Sequence, residues 1–262
     1  MTPVTRGRRL PFVAAMLAVG VTVCQVTARV AWAGAAPASL EEAQQLLREG
    51  FEARGRGDLE ESVRLYELAY AFDPSLRIEW FEAPHSRYKL AVEGELAISC
   101  RELARQTRKI EPLLRARALF ERALAKDSGT ILVEDLRLTR QMIADAGAPL
   151  PEPAVVVTDH YCGVARVENG RHTIELRQVA NATGLPLAWN AQERTACLKW
   201  RDRPVAFRVD EPSEAGEERV QLREGRVIVP LGLLSSKLGL EMFWDEKARM
   251  AYLGSKPGAL PL

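Results

Sequence analysis

Few side chains in this sequence have the types and spacing that chemistry requires. The histidines are His85, His160 and His172, no two of them close enough to form the imidazole cluster that copper or zinc needs. His160 and Cys162 stand two apart, which puts both on one face of a strand, but two ligands without partners read as structural. Ser235-Ser236-Lys237 has neither the Ser-x-x-Lys spacing nor the elbow glycines of hydrolases. Carboxylates occur as Glu60 with Glu61, as Glu134 with Asp135, and as a group of Asp210, Glu211, Glu214, Glu217 and Glu218. The two pairs belong to helix faces and the group to a loop. No glycine-rich phosphate loop follows a strand. No catalytic residue, cofactor or metal site is nominated, and an enzyme is the least expected class.

Two other residue sets invite a role. Arg101, Arg105 and Arg108 recur at i, i+4 and i+7, one stripe of a helix opposite Ala97, Ala104 and Ile110. Such a stripe can clamp an acidic peptide or a C-terminal carboxylate; the alternative is a solvated face. Beyond the first 33 residues the cysteines are Cys100, Cys162 and Cys197. In an oxidising compartment Cys162 and Cys197 form the natural pair and Cys100 stays a buried thiol. Three unbridged core residues are the alternative.

The elements that must position these groups begin after a leader. Arg6, Arg8 and Arg9 precede an uncharged stretch from Leu10 to Ala28, and Ala31-Trp32-Ala33 follows as a small-x-small cut site. Residues 1–33 read as a removable Sec-type signal peptide. An uncleaved membrane anchor is the rival, since the apolar stretch is about the length of a span. Without the arginines of this leader the chain has 32 basic and 35 acidic residues, so no basic footprint for nucleic acid exists.

Residues 39–147 carry helical periodicity. Ser39-Leu-Glu-Glu42 and Asp58-Leu-Glu-Glu61 have the form of capping boxes that start two helices, and Asp73-Pro74 stops the second. Ala43, Gly50, Ser62, Tyr66, Ala69 and Pro74 fall at small, small, small, aromatic, small and proline positions, so residues 43–76 resemble a tetratricopeptide repeat. Pro84 and Pro112 interrupt the pattern. Ala116, Phe120 and Ala123 restore it, and residues 131–146 form a closing helix. The resemblance implies a concave face that binds a protein partner, and transfers that role to Gln44, Leu47, Phe51 and Arg54, with Arg101, Arg105 and Arg108 in the second repeat.

Residues 148–153 are a proline-rich linker, after which periodicity changes to alternation over residues 154–254. Gly170 through Leu198 repeats without a gap as Gly225 through Leu253: Gly184 matches Gly239, Trp189 matches Trp244 and Asn190 matches Asp245. Each copy reads as strand, short helix, strand and strand, the fold class being multidomain with an all-α repeat domain and a small α+β domain of duplicated β-α-β-β motif. The paired tryptophans read as core, with sugar-stacking platforms as the alternative. The run from Gly225 to Asp245, with Val-Pro-Leu and Trp-Asp, closely resembles the copper amine oxidase N-terminal, or stalk, domain. In amine oxidases that appendage does no chemistry. Residues 255–262 read as a flexible tail.

Together these features indicate an exported, non-catalytic adaptor of the periplasm or cell surface. Its helices grip a protein, and its stalk-like part docks on envelope material or another subunit. The alternative is a structural or cell-wall-glycan-binding protein with the helical half as spacer. Membrane association is expected only if the leader is retained. N-terminal sequencing of the exported protein is expected to begin at Gly34; Met1 or Thr2 in the membrane fraction would establish the anchor instead.

Overall fold

The computed structural model describes residues 36–77, 91–127, 130–168, 170–210 and 219–254. The leader, His85, Pro84, the acidic loop at 211–218 and the tail at 255–262 lie outside the described residues.

The N-terminal part contains α1 (Leu40–Gly55), α2 (Leu59–Phe72), α3 (Val92–Thr107), α4 (Glu111–Lys126) and α5 (Thr130–Asp145). Its first two helices start at the expected caps: Ser39 Oγ accepts from the Glu42 N–H at 3.1 Å and Asp58 Oδ1 from the Glu61 N–H at 3.2 Å. Pro112 does not break a helix. It stands in the first turn of α4, where the missing N–H is no loss.

Packing explains the small residues. A Cβ at Gly50 would lie 3.0 Å from the ring of Tyr66, which is wholly buried between helices. The hydroxyls of Ser62 and Ser99 bond at 3.0 Å across α2 and α3. Glu93, buried in the first turn of α3, is met by Tyr70 Oη at 3.2 Å, Arg122 Nε at 3.0 Å and Lys126 Nζ at 2.8 Å. Three donors from α2 and α4 thus offset the loss of water around one carboxylate.

The C-terminal part is α+β. Its elements are β1 (Ala154–Val157), β2 (His160–Val164), β3 (Arg166–Glu168), β4 (Arg171–Glu175), α6 (Leu176–Thr183), β5 (Leu187–Asn190), β6 (Thr195–Trp200), β7 (Arg203–Arg208), β8 (Gln221–Arg223), β9 (Arg226–Pro230), α7 (Leu231–Leu238), β10 (Met242–Asp245) and β11 (Met250–Leu253). They form sheets in the orders β10-β11-β1-β2, β3-β4-β9-β8 and β5-β6-β7. The first is mixed, because β1 runs parallel to β11 and antiparallel to β2. Counterpart elements keep a constant spacing: β4 opens at Arg171 and β9 at Arg226, α6 at Leu176 and α7 at Leu231, β5 at Leu187 and β10 at Met242. Both short helices end on a left-handed glycine, Gly184 at φ 67° and Gly239 at φ 63°.

The two parts share one core. On β1, Ala154 and Val156 join Tyr161, Met250 and Tyr252 in a cluster with Phe120 and Leu136 of the helices. Val155 and Val157 point the other way, into a second cluster with Leu176, Leu198 and Leu234. Burial on both faces is why this strand reads Ala-Val-Val-Val without polar alternation.

Across this junction lies Arg140 of α5, at 0% exposure. Its Nε donates to Ala248 O at 2.7 Å, Nη1 to Glu121 Oε1 at 3.0 Å, and Nη2 to Glu152 O at 2.9 Å and Arg249 O at 3.3 Å. Burial lowers its pKa, and the Glu121 carboxylate acts in the opposite direction. Replacing Arg140 by Met removes the side-chain donors to Ala248 O and Glu152 O and the nearest cation to Glu121, while Arg249 O keeps the Ala154 N–H at 3.0 Å. The expected loss is about 3–5 kcal/mol, seen as a fall in Tm on the order of 10 °C. A melt within 2 °C of the wild type, as a rough bound for a silent surface change, would refute this role.

Candidate functional site

Three of the nominated helical residues, Leu47, Arg54 and Arg101, are committed to the fold. Gln44 is half-buried and Leu47 lies in the core. Phe51 is 38% exposed, with the Arg54 guanidinium 5.2 Å over its ring. Arg54 itself pairs with Glu95 of α3 at 2.5 Å. Burial pushes the Glu95 carboxyl up and the Arg54 charge pulls it back. Arg101 pairs with Asp135 of α5 and lies 5.8 Å over the Phe120 ring. Arg105 is exposed in the last turn of α3, and Arg108 caps that helix in the left-handed region at φ 56°. The expected arginine stripe is therefore corrected: α3 ends at Thr107, Arg108 does not continue its face, and Arg101 braces α3 against α5. Each of these partly buried guanidiniums needed a carboxylate, and the neighbouring helices supply one.

The expected Cys162–Cys197 bridge is likewise not formed; Cys100, Cys162 and Cys197 are all unbonded. Strand alternation gives the reason. On β6, Ala196 and Leu198 enter the same core as Cys162, which leaves Cys197 between them on the opposite face. Burial pushes the thiols of Cys100 and Cys162 up to about 12.

Other polar groups of the sequence analysis hold local structure. Ser235 Oγ donates to Leu240 O at 2.6 Å, and Lys237 Nζ to Ala206 O at 2.7 Å. Glu61 pairs with Arg64, and Glu134 with Arg137. His160 Nδ1 lies 3.3 Å from Thr158 Oγ1.

A different surface stands open. Trp189, expected in the core, is 44% exposed on β5. It borders a groove of about 210 Å³ between β5 and the β8–β9 hairpin, whose lining includes Glu175, Arg177, Leu187, Leu222 and Arg226. Arg226 Nη1 lies 3.5 Å from Glu175 Oε2. Its counterpart on the other half differs. There the Trp244 ring packs 4.6 Å from that of His172. Asp245 Oδ2 accepts from Arg137 at 3.3 Å and Gln141 at 3.0 Å, both on α5, while Oδ1 caps the turn at the Ala248 N–H. Among the described residues Asn190, in the equivalent place, accepts from the N–H groups of Gln192 and Glu193 of its own turn. Sequence reasoning missed Arg177, Leu222 and Arg226. The available signal was the alignment of the two copies, which sets Val227 opposite His172.

Residues 162–253 match the copper amine oxidase N-terminal domain family. The match covers a little over a third of the chain, and the module is a non-catalytic one. No curated protein and no solved structure matches the chain. The described residues of this stalk-like module do not suit the copper of the family's name: His160 is engaged with Thr158 and His172 with Trp244, and no group of three or more His, Cys, Asp or Glu is placed to hold a metal. No helix of the described residues is long and apolar enough to cross a membrane.

The cysteine geometry has a direct consequence. In the native protein, iodoacetamide at pH 8 should label Cys197 and spare Cys100 and Cys162, whose thiols are buried and protonated. All three should label after denaturation without reductant. A Cys197 that reacts only after reduction would restore the bridge.

Proposed function

We propose that this chain is an exported, non-catalytic binding protein of the cell envelope. A tetratricopeptide-like helical part braces one half of a stalk-like module, and the other half is left open to a protein partner. Tetratricopeptide likeness is supported by the packing of Gly50 on Tyr66 and by the buried small residues Ser62, Ala69, Ala116 and Ala123. That the module is one unit used twice is supported by its strand registers. Leu187 pairs with Leu198 as Met242 pairs with Leu253, and Val167 with His172 as Leu222 with Val227. Export is supported by the leader residues Arg6 to Ala33.

One observation carries the reading: the unequal use of the two equivalent turns. The Asp245 turn is held by α5, whereas the Asn190 turn and the neighbouring Trp189 face solvent. Five helices that spend Leu47, Arg54 and Arg101 on their own packing are better suited to bracing than to gripping. An exposed tryptophan beside polar groups also suits a cell-wall glycan, the second reading.

Affinity capture from envelope extract separates these surfaces. With the chain lacking residues 1–33 as bait, Trp189→Ala should reduce partner recovery at least tenfold, the loss that follows from removing about 1.4 kcal/mol or more. Phe51→Ala should leave recovery unchanged. The reverse result would return the binding face to the helices.

A further inference from the structure

The groove beside Trp189 is built to receive something more specific than an apolar surface. Its volume of about 210 Å³ falls below the roughly 300–1,000 Å³ of sites that enclose a whole small molecule. It therefore suits a side chain or ring belonging to a longer ligand.

Three features describe that ligand. The first is an unpaired backbone. β5 is the terminal strand of its sheet, and among the described residues no backbone hydrogen bond reaches its outer edge. Leu187, Ala188 and Trp189 all line the groove. Since alternate residues point to opposite faces, three in succession mean that the strand's edge itself borders the site. An unpaired edge is a template for an added strand.

Charge is the second feature. Arg226 is balanced by Glu175 at 3.5 Å, but exposed Arg177 has no ion-pair partner among the described residues. The groove thus has one positive charge in excess, which favours an acidic ligand.

The third is a filled counterpart within the same chain. Trp244, equivalent to Trp189, already has a ring against it, that of His172 on strand β4 of another sheet. At the place of His172 the first groove has Val227, which lines its wall and leaves Trp189 uncovered. The filled site shows what the open one accepts: a flat ring presented from an extended strand.

We infer that the groove between β5 and the β8–β9 hairpin binds an extended acidic peptide. The peptide pairs with the free edge of β5, stacks a ring side chain on Trp189 and sets a carboxylate against Arg177. This assignment rests on the proposed function and names the chemistry of its partner. Val227→His closes the groove with the chain's own ring, as His172 does on Trp244.

The test uses the chain from Gly34 onward and a fluorescein-labelled hexapeptide, Glu-Val-Phe-Val-Asp-Glu, read by fluorescence anisotropy. Saturable binding is expected. It should weaken at least tenfold with Trp189→Ala, with Val227→His and with Arg177→Glu, and equally when the peptide's Phe is replaced by Ala or its acids by Lys. Because Val227 is half-buried, melting curves accompany that variant, and exposed Arg177 and Trp189 keep the test independent of folding. Chitohexaose is the competing probe. Peptide binding that ignores Trp189→Ala, or Trp189-dependent binding of the hexasaccharide alone, overturns the assignment. If the peptide fails while extract capture still depends on Trp189, the proposed function stands and only the peptide chemistry falls. If both fail, both readings fall.

Discussion

Arg140 is the constraint on which the arrangement of this chain depends. A guanidinium with no exposure to solvent must find acceptors for its donors. Four of them come from three places: Glu121 on α4, Glu152 in the connection, and the carbonyls of Ala248 and Arg249 in the turn before β11. Carbonyl oxygens are fixed by the backbone, so α5 has one rotation and one height at which all of these bonds close. From that placement follow the contacts of Arg137 and Gln141 with Asp245. The apolar residues of β1 and β11 then complete a core with Phe120 and Leu136. Replacing the whole set of partners by well-packed apolar groups would cost little, whereas losing Arg140 alone leaves acceptors unmet. Its worth here is orientation, because an apolar side chain would accept several.

The same contacts make the two halves of the stalk-like module unequal. Asp245 has two carboxylate oxygens, one for its own turn and one for α5. Asn190 has one acceptor oxygen and spends it on two N–H groups of its own turn. An amide in that place closes the turn as well as a carboxylate does, but has no charge left for an arginine. The difference between aspartate and asparagine is small in volume, and among the described residues it is the aspartate turn that meets α5.

Local signals in the sequence carried much of the fold. Ser39 and Asp58 cap helices because a side-chain oxygen beside an apolar periodic run satisfies N–H groups only there. Gly184 and Gly239 end helices because the left-handed conformation penalises other residues. Long-range pairing was not legible. Arg54 and Arg101 have the composition of a surface stripe, and only the approach of Glu95 and Asp135 from other helices makes them braces. Arg140 is indistinguishable in sequence from the arginines around it. Cys162 and Cys197 share a domain but not a face, and that depends on which neighbours of Cys197 turn inward. Trp189 and Trp244 have the same local pattern, yet one is covered by His172 of the opposite copy.

That last pair shows how the same short sequence pattern can meet two different surroundings within one module. Trp189 borders a groove whose far wall is the β8–β9 hairpin, and Trp244 packs on His172 of β4, so the surroundings of each are set by residues distant from it in sequence. Burying an indole against a ring gains packing and quadrupole interactions of about 0.5–1.5 kcal/mol, a gain the His172 side realises within the chain. Val227 lines the wall of the groove and offers no ring. The unrealised interaction at Trp189 is therefore available to another molecule. It is the cost, in stability of this chain alone, of leaving Trp189 exposed.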